Sequence, residues 1–132
     1  MNETQMTDVM IEVLTEIERH VKNPISKGEV VIPMIVPATD GTAMLRRMKS
    51  VLRDSAHLFD SHQAMKVGNI VVYVDPKGHE DPVNIRGSTV LMCVWSTDLR
   101  PTKYGQQIVE STLNLAMTTA RMNGYGGRIV RY

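Results

Sequence analysis

The chain has 132 residues, of which 42% are apolar and 22% charged, and its net charge is +1. That length suits one domain around one core, spanning 1–132. The apolar content excludes global disorder, and the charge balance excludes an overall pull toward nucleic acid or anionic lipid.

Cys93 is the single cysteine. It excludes an internal disulfide and a thiolate-based zinc site. The first residues lack a basic stretch followed by an apolar run, so no signal peptide is read there. No apolar run approaches the roughly 20 residues of a membrane span. The expectation is a soluble, cytoplasmic protein. Ten methionines stand beside one phenylalanine, a composition that fits a methionine-filled core or an adaptable binding face.

The first predicted element is a helix over about 4–22. Met6, Val9, Met10, Val13, Leu14, Ile17 and Val21 recur every three or four residues on one face, and Asn23-Pro24 ends it. Residues 29–36 are rich in β-branched side chains and read as a strand, with Pro33 pointing to an edge position or a bulge. Thr39-Asp40-Gly41 is a capping cluster, and a second helix is expected to run to about Phe59. Its predicted inner face is Met44, Leu45, Met48, Val51, Leu52 and Phe59.

Residues 60–68 read as a polar loop. Residues 69–75 and 89–95 read as strands joined by a proline-rich excursion, most simply as an antiparallel pair. A third helix is expected over about 103–122, with Ile108, Val109, Thr112, Leu113, Ala116 and Ala120 inward. Asn123-Gly124 ends it, and a short strand follows over 128–132. The predicted fold is α+β: a leading helix, then a ferredoxin-like βαββαβ arrangement with an antiparallel sheet and helices on one face.

Candidate chemistry is sparse. His20, His57, His62 and His79 include no i, i+4 pair, so no metal and no cofactor are predicted. His79-Glu80-Asp81 is the densest titratable cluster and reads as a solvated turn between prolines. Cys93 sits in an apolar strand and reads as buried and inert. The glycines of 124–128 read as a helix stop. No phosphate loop, dinucleotide fingerprint or nucleophile elbow is present, and no catalytic residue is assigned. His57, His79, Arg86 and Tyr73 are the candidates if separate elements converge on an active site.

Charge is unevenly placed. Residues 1–22 carry five acids and two bases, and residues 100–132 carry one acid and five bases. Glu12, Glu16 and Glu18 on the first helix, Arg46, Arg47, Lys49 and Arg53 on the second, and Arg128 and Arg131 near the end are the candidate interaction residues. The acidic helix and the basic end can meet within one chain or between neighbours, the latter giving a head-to-tail contact. Too few aromatic residues flank the basic positions for a single-strand nucleic-acid platform.

Residues 3–22 and about 69–117 resemble small tail-terminator, or tail-completion, proteins of long-tailed phages. The likeness lies in a leading helix, a strand ending Val-Tyr-Val-Asp, a polar loop, a strand ending Met-Cys-Val-Trp-Ser, and a helix opening Tyr104-Gly105-Gln106. It implies a ring-forming virion protein without catalysis that contacts other virion proteins. The expected function is a non-enzymatic assembly protein forming a homo-oligomer; the alternative is a ferredoxin-like dimer that binds a small molecule.

Overall fold

The computed structural model describes residues 1–132. In chain order the elements are α1 (Glu3–Lys22), β1 (Val30–Ile35), α2 (Ala38–Leu52), a 3-10 turn (Arg53–Ser55), β2 (His57–Phe59), β3 (Ala64–Val67), β4 (Ile70–Val74), β5 (Cys93–Trp95), α3 (Lys103–Ala116), α4 (Thr118–Met122) and β6 (Ile129–Arg131). The six strands form one sheet in the order β2-β3-β4-β1-β5-β6. The α+β class stands, and no helix is long and apolar enough to cross a membrane.

The ferredoxin-like order and the antiparallel sheet do not stand. β1 pairs in parallel with both β4 and β5, and β5 pairs in parallel with β6. Only β2–β3 and β3–β4 are antiparallel. β4 and β5 are therefore not a hairpin, because β1 lies between them. Residues 75–92 are long enough to cross over, which parallel pairing requires.

Helices cover both faces rather than one. On one face Val30, Ile32 and Met34 of β1 pack with Met6, Val9, Val13 and Ile17 of α1 and Met44, Leu45 and Met48 of α2. On the other, Val31 and Ile35 pack with Trp95 of β5 and with Val109 and Leu113 of α3. Parallel strands read as unbroken apolar runs because both their faces are covered.

Pro33 is in the central strand, not at an edge. Val31 N donates to Thr89 O on the β5 side, whereas Val30 N donates to Asn69 O on the β4 side. By that alternation Pro33's missing donor faces the β5 side. There Leu91 and Met92 interrupt the pairing between the Val31–Val90 bridge and β5. The proline costs no ladder bond at that gap.

The second helix stops earlier than its apolar spacing predicts. Arg53 has φ 51° and ψ −124°, a positive-φ conformation outside helical geometry that ends the helix. The Lys49 ammonium donates to the carbonyls of Arg53 and Ala56 and fastens the turn. The chain then enters β2, so Phe59 is a strand residue, and the expected polar loop over 60–68 contains most of a β2–β3 hairpin. Leu52 is only half-buried and Val51 is 67% exposed. At the other end, a Cβ on Gly41 would lie 2.5 and 2.6 Å from the Val74 methyls, so α2 sits directly on β4.

Met48→Ala is expected to cost about 2–5 kcal/mol, as large-to-small changes do in a core. Val51→Ala should stay within about 0.5 kcal/mol. Urea unfolding of the two variants checks the pair.

Candidate interaction surfaces

The charged residues singled out in the sequence pair mostly within the chain. Glu16, on the buried face of α1, is 1% exposed. Its Oε1 accepts from Arg128 Nη1 at 3.0 Å and from Arg19 Nη1 at 3.3 Å, while Oε2 is buried without a partner. Arg128 also reaches Glu12 at 3.5 Å. The acidic helix and the basic end thus meet in cis, which holds α1 against the strand edge at β6.

The same junction encloses His20 and Tyr125. Tyr125 donates its hydroxyl proton to the carbonyls of Asn23 and Arg19, and the Arg19 guanidinium lies 4.9 Å from the Tyr125 ring centroid. Arg19 Nη2 also donates to Gly124 O at 2.9 Å. His20 is fully buried beside this ring, with neither imidazole nitrogen hydrogen-bonded. Burial holds its pKa below the ordinary value.

The remaining candidates divide clearly. Arg131 pairs with Glu110 at 2.9 Å and lies 4.2 Å over the Trp95 ring. Arg47 grips Glu3 through two hydrogen bonds of 2.7 and 2.9 Å, and that grip lowers the Glu3 pKa. Glu18 pairs with Lys22 at 2.8 Å, which lowers its pKa in turn. Lys49 is spent on the helix end. Arg46 and Arg53 are exposed and have no carboxylate partner.

Cys93 is fully buried, and burial pushes its thiol pKa far up, which favours the neutral thiol. His79 is more enclosed than a solvated turn: its side chain is 13% exposed and Nε2 lies 3.5 Å from Glu80. It stands near Asp75, whose Oδ2 is buried without a partner and whose pKa is raised by burial and, less, by Asp81. Gly78 makes room for this carboxylate, since a Cβ there would lie 2.8 Å from Asp75 Oδ2. No group of three or more His, Cys, Asp or Glu side chains is placed to hold a metal ion. Of the proposed convergent set, Tyr73 donates to Asn84 O at 3.3 Å, and His57 and Arg86 are exposed. Tyr132, just past β6, has a buried hydroxyl beside Ser96 and Asp40, its pKa pushed up to about 12 chiefly by burial.

Two apolar surfaces remain, on opposite faces of the sheet. One is a ridge along α3 and α4, where Tyr104, Ile108, Leu115 and Met122 are 81, 51, 78 and 81% exposed. At about 100° per residue these four lie within about 40° of one another. The backbone ladder carries the ridge across the α3–α4 junction, with Met117 N bonded to Leu113 O and Arg121 N to Met117 O. Ser111 and Thr118 fill the remaining turns of the stripe with small side chains. Ile108 thus points outward, contrary to its predicted place on the inner stripe. The second surface is a groove between the ends of α1 and α2, lined by Leu14, Ile17, Val21, Val51, Leu52 and Val67. Val21 and Val51 stand open to water on its rim, at 56 and 67% exposure.

Searches against family models, curated proteins and solved structures returned no match to this chain.

Protonating His20 charges a buried imidazole in the folded chain but not in the unfolded one. Stability is therefore expected to fall as pH drops through about 6.5, the unfolded value, and to keep falling until the buried ring itself titrates. His20→Leu should remove that component. Urea unfolding of both chains at pH about 7.5 and about 5 measures it.

Proposed function

We propose that this chain is a non-catalytic assembly protein that forms a homo-oligomer, with the ridge of α3 and α4 as a contact surface. The observation that carries the reading is the alignment of four large apolar side chains on one exposed stripe. Isolated exposed apolar residues are ordinary, but four large ones aligned on one face suit a docking surface. Tyr104, Ile108, Leu115 and Met122 recur at four and seven residues on one side of the helix, with the small polar Ser111 and Thr118 between them.

Burying such a row contributes about 25 cal/mol per Å² of apolar area removed from water. That exceeds what exposed ion pairs supply, at about 0–1 kcal/mol each. The resemblance to tail-terminator proteins fits this reading, since it too implies a self-assembling virion protein working without catalysis. Under it the other partners are further virion proteins.

The purified chain is expected to sediment above its monomer mass of 14.8 kDa at tens of micromolar. Leu115→Lys should return it to the monomer and leave its circular dichroism unchanged, because the side chain has no part in the core. A wild-type chain that stays monomeric contradicts the reading.

A further inference from the structure

The end of α1 is seated by a single buried side chain. Past Ile17 the helix residues Glu18, Arg19, Val21 and Lys22 are exposed, and only His20 enters the interior. Its imidazole is fully buried, and neither nitrogen has a hydrogen-bond partner. Around it the turn touches the segment before β6. The Tyr125 hydroxyl sits against the Arg19 and Asn23 carbonyls, Arg19 Nη2 donates to Gly124 O, and the guanidinium lies over the Tyr125 ring. We infer that this turn is an acid-released latch: when His20 takes up a proton, the residues past Ile17 unwind and part from Gly124 and Tyr125. The latch is independent of the assembly reading above.

A neutral imidazole is tolerated in an apolar seat, but an imidazolium brings a charge and two N–H donors. The charged groups facing the site are Glu16 and Arg19 on α1 and Arg128 before β6, with the Tyr125 phenol as the other titratable neighbour. Glu16 Oε1 already accepts from both guanidiniums, and Glu12 reaches Arg128 at 3.5 Å. Glu16 Oε2 is unpartnered but makes no hydrogen bond to the ring. Glu18 and Lys22 pair with each other at 2.8 Å, both of them exposed. A proton on His20 therefore adds a third cation beside Arg19 and Arg128 and gains no acceptor. Burial accordingly holds its pKa below the ordinary value.

The route to water is short. Met6, Val9, Val13 and Ile17 keep the rest of α1 in the core, and Arg47 grips Glu3 at its start. Unwinding one turn exposes one ring, whereas unfolding the chain exposes two cores. Openings of this kind at helix ends lie at the low end of the stability range within a protein.

Amide exchange in the intact chain at pH about 7.5 and about 5, corrected for the intrinsic rates, reads the latch. The amides from His20 to Asn23 should exchange through an opening that low urea does not speed. That opening should be up to about 30-fold more frequent at the lower pH, which lies about 1.5 units under the ordinary histidine pKa. In His20→Leu, checked for folding by circular dichroism, the pH dependence should vanish. Equal opening at the two pH values in the wild type overturns the latch. So does protection that matches the β1 amides and responds to urea as theirs does, because His20 then charges only when the whole chain unfolds. A wild-type imidazole that titrates above about 6.5 by NMR overturns it as well, since Glu16 then holds the cation in place. These three results come from the wild-type chain, whether or not His20→Leu folds.

Discussion

β1 has water on neither face. Its six residues are all buried, and successive side chains enter two different cores. A strand with an apolar residue at every position cannot sit at the surface of a half-wetted sheet, so helices must cover both sides. The chain meets this demand with α1 and α2 on one face and α3 on the other. The parallel pairing of β4, β1 and β5 follows, because strands whose connections run over the faces of a sheet enter it in one direction. The three-residue edge strands β2 and β6 then close a sheet whose centre is far more apolar than its rims.

The helices were the legible part of the sequence. α1 starts one residue before its predicted position, where Asn2 and Gln5 exchange the two hydrogen bonds of a capping box. Gly124 does take the left-handed conformation expected of a helix stop, at φ 79°. What failed was pairing. Nothing in residues 69–95 distinguishes a hairpin from a crossover, because that choice depends on which strand is free to lie between them. The long second helix failed for a local reason. The spacing of Leu52, Ser55 and Phe59 is helical, yet Arg53 turns the chain, and no glycine or asparagine announces it.

Site residues were legible in type but not in direction. The uneven split of acids and bases is real, and its main expression is internal: Glu12 and Glu16 meet Arg128 within one molecule. Sequence separation hid this, since β6 reaches α1 only through the fold. The outward row on α3 was readable from spacing alone. It was obscured because the true inner stripe is short, with Val109 and Leu113 buried deepest, and Ile108 adjoins it. The polarity of the molecule comes from β1 in the end. A strand that needs cover on both faces produces two helical layers. Each layer turns a different apolar surface outward.

Amide hydrogen exchange resolved by residue tests the placement of β1 most directly. Ile32, Met34 and Ile35 in a strand bonded on both sides and covered on both faces should exchange among the slowest amides of the chain, through global unfolding. Amides of β2 and β6 should exchange faster, as edge strands open locally. If the β1 amides exchange as fast as those of β2 and β6, the strand is not at the centre of the sheet and the two-layered account is wrong.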